Sequence, residues 1–209
     1  MATITALKAQ KNRSDRLSVF LDGEFAFGLP RSVAAELRVG QTLSAEQISA
    51  LQTADIRDKA RRYVFQLLSR RPRSIAEIRR KLKDKEYSED VARQVIAELT
   101  EKGLLDDIAF ARYWIEQRET FKPRSRMALQ YELRQKGVSL DAIETALSGF
   151  DETAAARRAA VHQARRLKNL PEQAFRAKLG AYLQRRGFGY EIIREISDEM
   201  WQAVCETTT

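Results

Sequence analysis

The sequence predicts a mainly α-helical protein: tandem three-helix, helix-turn-helix-like repeats in an elongated arc, preceded by a small antiparallel three-stranded β segment. Three observations carry this. Apolar residues alternate in the strand manner only before residue 30, they recur mostly at spacings of three and four from residue 48 onward, and the helical part repeats itself at an offset near 50 residues.

Ile4 and Ala6, then Leu17, Val19 and Leu21, are regularly spaced apolar positions separated by the polar run KNRSD at 11–15. Asp22-Gly23 between two apolar runs is a hairpin signal. Strands are therefore predicted over residues 3–10, 15–21 and 24–29. A short helix follows over 30–38, with Pro30 suited to a first helical turn and Val39-Gly40 ending it. Ser44 with Gln47 three residues later forms a capping box for a long helix carrying Ile48, Leu51, Ile56, Ala60, Tyr63, Val64, Leu67 and Leu68. The remainder reads as helix punctuated by Gly103, Gly137, Gly149 and Gly187 and by Pro72, Pro123 and Pro171.

That punctuation is periodic. Residues 60–74 (ARRYVFQLLSRRPRS) align with 111–125 (ARYWIEQRETFKPRS) at an offset of 51, the final Pro-Arg-Ser being identical. The same offset pairs Leu82 with Leu133, Lys85 with Lys136, Ser88 with Ser139 and Asp90 with Asp141. A weaker third copy, offset by a further 50, pairs Leu133 with Leu183, Gly137 with Gly187 and Asp141 with Glu191. Each unit reads as three short helices around a shared apolar seam. The expected domains are a strand domain at 1–43, a long helix with the first repeat at 44–107, a second repeat at 108–153 and a third at 154–209.

The 209 residues carry 37 Lys plus Arg against 29 Asp plus Glu, net +8, on a chain that is 44% hydrophobic. Such a chain builds cores, and its excess charge calls for an acidic partner, nucleic acid by default. No apolar run reaches the roughly 18 to 20 residues of a membrane helix, and the opening MATITALKAQKNR has no secretory core, so a cytoplasmic protein with no membrane partner is expected. A single cysteine, Cys205, and a single histidine, His162, form neither an internal disulfide nor a Cys/His zinc site. His162 lies in the basic stretch RRAAVHQARR without an acidic orienter, and there is no glycine-lysine phosphate loop. A monomeric non-enzyme without metal or cofactor is expected.

Charge is unevenly spread. Residues 1–54 carry 6 basic and 5 acidic groups, 55–107 carry 14 and 11, 108–153 carry 7 and 7, and 154–209 carry 10 and 6. Residues 70–85 concentrate Arg70, Arg71, Arg73, Arg79, Arg80, Lys81, Lys83 and Lys85 against only Glu77 and Asp84. With Ile75, Ile78 and Leu82 as the buried seam, Arg80 and Lys83 fall on the opposite side and Arg79 on its flank, a stripe suited to phosphates. The alternative is a solvated face paired with its own acids. The third repeat carries Arg157, Arg158, Arg165, Arg166 and Lys168, then Arg185 and Arg186 near a helix turn. Arg124 lies within the second Pro-Arg-Ser and Lys122 and Arg126 flank it, completing the candidate binding set. Asp106-Asp107 read as caps of the following helix rather than metal ligands. Tyr63, Phe65, Phe110, Tyr113, Trp114 and Tyr131 read mostly as core, with Tyr113 or Trp114 left to stack on a base or partner.

The ordered set RPRS at 71–74, Glu77, Leu82, LLDD at 104–107, FA at 110–111, Arg118, KPRS at 122–125, and Glu132-Leu133 with KGV at 136–138 resembles the RecX family, bacterial regulators of the RecA recombinase. The resemblance covers about residues 55–150; LDGEFAFGLP at 21–30 is similar to the amino-terminal extension of longer members, and the third unit matches loosely. Glu86 stands where the family usually has glycine after lysine, and Pro123-Arg124-Ser125 where a glycine is common. What the resemblance implies is a protein that binds the RecA–DNA filament and restrains its growth, strand exchange or ATP hydrolysis, in the setting of recombinational repair and the SOS response. DNA contacts, single- or double-stranded, would lack sequence specificity. The residues alone leave a second reading open, a stand-alone DNA- or RNA-binding regulator.

Overall fold

The computed structural model describes residues 1–10 and 13–206. Strands β1 (Ala2–Gln10), β2 (Arg13–Leu21) and β3 (Glu24–Pro30) form an antiparallel meander. Asp22 and Gly23 take φ of 49° and 94° at the β2–β3 turn, two left-handed residues of the kind a tight hairpin needs. Of the polar run KNRSD, Lys11 and Asn12 lie outside the described residues, while Arg13 already opens β2. Pro30 closes β3 and stands as N-cap of a one-turn helix α1 (Arg31–Ala34), shorter than the predicted 30–38. A fourth strand, β4 (Thr42–Leu43), pairs with Ala2 and Thr3, giving the order β3-β2-β1-β4 where three strands were expected. Two residues are too few to show a strand period.

Ser44 caps α2 (Ala45–Leu68) through the predicted box: its hydroxyl accepts from the Gln47 amide at 3.2 Å and its own amide donates to the Gln47 side chain at 2.8 Å. The helices that follow are α3 (Ile75–Lys83), α4 (Glu89–Glu101), α5 (Asp107–Phe121), α6 (Arg126–Gln135), α7 (Leu140–Ala146), α8 (Glu152–Leu167), α9 (Glu172–Gln184) and α10 (Tyr190–Glu206). Among the described residues they form three-helix repeats, with the C-terminal part of α2 serving as first helix of the first repeat.

The chain divides into two compact units, Met1–Arg71 with Ile78–Leu104, and Pro72–Glu77 with Leu105–Thr209. In the first, Ile4, Val19, Phe27, Leu29 and Leu43 bury against Ile48 and Leu51 of α2. Arg16, 2% exposed, fastens the sheet to that helix. Its guanidinium donates to the carboxylates of Asp55 and Asp58 and, at 3.1 Å, to the Gly28 carbonyl, so three buried polar groups satisfy one another. Beyond them Ala60, Val64 and Leu67 of α2, Ile78 and Leu82 of α3, and Val95 and Leu99 of α4 are buried.

In the second unit Phe110, Ile115, Leu129, Leu133 and Ile143 form one core, and Ala155, Ala156, Ala159, Ala160, Phe175, Leu183 and Ile196 another, with Phe150 packing against both. The alanine face of α8 lets its neighbours approach closely. Leu82, Leu133 and Leu183, the leucines paired by the repeat, are each fully buried. At the turn just beyond them Glu86, Gly137 and Gly187 take φ of 60°, 77° and 91°. The period thus sets backbone conformation as well as burial.

Candidate nucleic-acid interface

In the first unit α3 turns Ile78 and Leu82 inward and leaves Arg79, Arg80 and Lys83 exposed. The acids that sequence proximity offered do not neutralise this face. Glu77 is buried and pairs with Lys136 at 3.3 Å, and Asp84 takes Lys81 at 3.2 Å. Arg79 approaches Glu89 of α4 at 3.5 Å. Arg70, Arg80, Lys83 and Lys85 remain exposed with no carboxylate partner among the described residues, Lys85 lying 5.9 Å from the Tyr63 ring centre. Arg71 is half-buried and engaged.

In the second unit Arg73 is half-buried and engaged, leading into Ser74. Lys122 is exposed, whereas Arg124 and Arg126 are largely structural. Arg124 donates to the Arg185 carbonyl at 3.1 Å, and Arg126 to the Leu147 carbonyl at 3.0 Å and to Glu144 at 2.9 Å. Arg157 holds Glu199 at 2.7 Å, which raises the arginine pKa further, and Arg158 holds Glu119. Arg165, Arg166, Lys168 and Arg185 are exposed without a carboxylate partner among the described residues. Arg186 is half-buried, donating to the Pro123 carbonyl at 3.1 Å and stacking 4.5 Å from the Tyr182 ring centre. Each unit therefore presents its own patch of unneutralised cations. Exposed ion pairs contribute little to stability, so the remaining charge is available to an external anion.

The aromatics divide differently from the sequence expectation. Phe110 is buried, but Phe65 and Tyr131 are 42% and 66% exposed. Their helical spacing had grouped them with the core, yet each sits on the outward side. Trp114 is half-buried, with the Arg118 guanidinium 4.7 Å and the Lys136 ammonium 4.4 Å from its ring centre, and its indole N–H donates to Glu132 at 2.8 Å.

The paired acids also separate. Asp106 caps α5, accepting from the amides of Ile108 and Ala109, as the sequence suggests. Asp107 instead accepts from the Ile75 amide at 2.9 Å, and burial pushes its carboxyl above the usual range. Asp15 and Glu98 move the other way, held low by hydrogen bonds from Arg62 and Lys102. Burial raises the Tyr87 phenol. Among the described residues no three His, Cys, Asp or Glu side chains gather as a metal cage, and no helix is long and apolar enough to cross a membrane.

Fold and surface together define a class: a basic protein of tandem three-helix repeats behind an antiparallel sheet. Models of the RecX first, second and third three-helix domains match residues 60–99, 106–147 and 151–196, and that of the regulatory protein RecX N-terminal domain matches 2–44. The chain belongs to the RecX family of regulatory proteins. It is 31% identical to regulatory protein RecX of Clostridium botulinum (strain Alaska E43 / Type E3) over 210 residues, covering 95% of this chain and 96% of the relative. Identity to regulatory protein RecX of Bacillus subtilis (strain 168) is 31% over 205 residues, covering 96% and 78%. A crystal structure of regulatory protein RecX superposes with a TM-score of 0.76 at 30% identity, over 95% of this chain and all of that one. RecX from Lactobacillus salivarius shares the fold at a TM-score of 0.62 and 23% identity, over 70% of this chain and 97% of that one. The match extends through the third repeat and the opening strands, further than the motifs that first carried the resemblance.

Proposed function

We propose that the chain regulates the RecA recombinase by binding the RecA–DNA filament through its basic helical repeats, restraining filament growth, strand exchange and ATP hydrolysis. One observation carries this reading beyond family membership: Arg70, Arg80, Lys83 and Lys85 in one unit, and Arg165, Arg166, Lys168 and Arg185 in the other, are exposed and lack carboxylate partners among the described residues. Such cations gain by releasing counterions from a phosphate backbone, a contribution that requires no base-specific contact. The protein acts by occupancy, as a cytoplasmic non-enzyme that alters another protein's hydrolysis.

The test is RecA-catalysed ATP hydrolysis on single-stranded DNA with and without the purified chain. Hydrolysis is expected to fall at stoichiometric ratios. An unchanged rate overturns the reading, and DNA binding without any effect on the recombinase would instead mark a stand-alone nucleic-acid regulator.

A further inference from the structure

On α2, Lys59, Arg62, Tyr63 and Gln66 follow the i, i+3, i+4, i+7 spacing of one helix face, turned away from buried Ala60, Val64 and Leu67. With Phe65 and Tyr87 they line an open groove of about 580 Å³. Three aromatic rings, two cations and an amide make up this lining, and no carboxylate. Of the acids paired with this lining, Asp55 and Asp58 are buried and held by Arg16, Lys59 and Arg62, and exposed Asp15 is held by Arg62, which leaves Lys85 as the cation beside the groove without a carboxylate partner among the described residues. Lys85 extends toward the Tyr63 ring. Phe65 is 42% exposed, a large apolar ring kept in water on an otherwise polar helix face.

We propose that this groove is a stacking site for a single nucleic-acid strand, taking an unpaired base against Phe65, Tyr63 and Tyr87 while Lys59 and Lys85 meet the flanking phosphates. Ring faces beside cations match a base beside its phosphate, because every base offers a π-face and every nucleotide a charge. An acidic peptide would use the cations but would leave three rings without a partner. A base pair presents its faces only to its neighbours in the stack, so the site discriminates against duplex. This rests on the proposal that the protein meets a nucleoprotein filament, and adds which element reads the strand and how.

The test compares binding of a fluorescein-labelled oligothymidylate with that of an abasic strand of equal length, using the full chain. Wild type is expected to prefer the base-bearing strand about tenfold. F65A and Y87L should bring the ratio toward one while abasic binding stays unchanged, and Y87F, which keeps the ring, should retain the preference. Photocrosslinking of a strand carrying 5-iodouracil to the unsubstituted protein, read by mass spectrometry, should label peptides containing Tyr63, Phe65 or Tyr87, and needs no variant to fold. Equal wild-type affinity for the two strands, full preference in F65A and Y87L, or labelling confined to other peptides each overturns the site. F65A that loses its effect on RecA hydrolysis while keeping the base preference makes the groove a protein contact and also overturns it. A base preference confirmed in a wild-type chain that leaves RecA hydrolysis untouched removes the filament reading and leaves the groove standing.

Discussion

The Ser74 hydroxyl donates to the Lys136 carbonyl oxygen at 2.6 Å, joining the Pro-Arg-Ser turn of one repeat to the second helix end of the next. The relationship recurs one repeat later, where the Ser125 amide donates to the Arg186 carbonyl at 3.2 Å. The motif that revealed the period is thus the piece that fastens successive repeats, and both serines are fully buried.

Replacing Ser74 tests that fastening. The same hydroxyl accepts from the Glu77 amide at 3.1 Å, so S74A removes a helix cap and also deprives the Lys136 carbonyl of its donor. A cost of about 2 kcal/mol is expected in guanidinium unfolding. Ser88 is an exposed cap whose hydroxyl accepts from the Val91 amide, and S88A should cost about 1 kcal/mol. Equal costs for the two would mean that the bond to Lys136 contributes nothing.

The glycines of this contact answer the family departure at Glu86. A Cβ on Gly137 would stand 2.3 Å from the Ala76 Cβ, and one on Gly187 would stand 2.5 Å from the Ser125 hydroxyl. Glu86 occupies the equivalent left-handed turn but is exposed, so its side chain has room. G137A should cost about 3 kcal/mol, combining backbone strain with overpacking, and adding A76G should recover the packing part. E86G should change stability by less than about 1 kcal/mol, since relief of strain is offset by the entropy of a freer unfolded chain. Unfolding midpoints of the three variants decide this.

The repeat was legible because the same local demands recur: a buried leucine, a left-handed turn, then a serine cap before α4 and α7. The Asp22-Gly23 hairpin and the Ser44–Gln47 box were legible because each is complete within a few residues. What the sequence hid depends on distant partners. Arg16 finds Asp55 and Asp58 some 39 and 42 residues away, and Asp107 finds Ile75 at a separation of 32. The candidate cations were all visible, but which of them stay unneutralised is set by acids on other helices. Glu89, Glu119, Glu144 and Glu199 claim Arg79, Arg158, Arg126 and Arg157, while Glu77, an acid of the basic stretch itself, also pairs with Lys136 some 59 residues away. Phe65 looked like core because helical spacing alone does not distinguish a buried face from a grooved one.

Stability should respond to acid with two opposite contributions. Asp15 and Glu98 titrate below the usual carboxylate range, so their contribution is complete above about pH 4 and is lost as pH falls through their lowered values. Asp107 titrates above that range, so folding retains its proton, and its contribution is lost as pH rises from about 4 through the raised value. D107N keeps an acceptor for the Ile75 amide without the charge. Its stability relative to wild type should therefore increase between about pH 3 and pH 7, whereas D107A should cost about 1 to 2 kcal/mol by orphaning that amide. A pH-independent difference between D107N and wild type would show that Asp107 titrates normally.

The unneutralised cations make a separable prediction for the interface. Each phosphate neutralised on duplex DNA contributes about 0.9 to the slope of log K against log salt, so R70A, R80A and K83A combined should flatten the slope by up to about 2.7. The matched control removes Lys81 and Arg93, which Asp84 and Asp90 already hold, and should leave the slope almost unchanged. Fluorescence anisotropy titrations across a salt series measure both. The contrast between the sets matters more than the loss of affinity, because removing any two or three positive charges weakens attraction at long range. Only groups that displace condensed counterions at the contact change the slope. Equal slopes for wild type and the triple variant would mean that this face of α3 is solvated and that phosphate is met elsewhere.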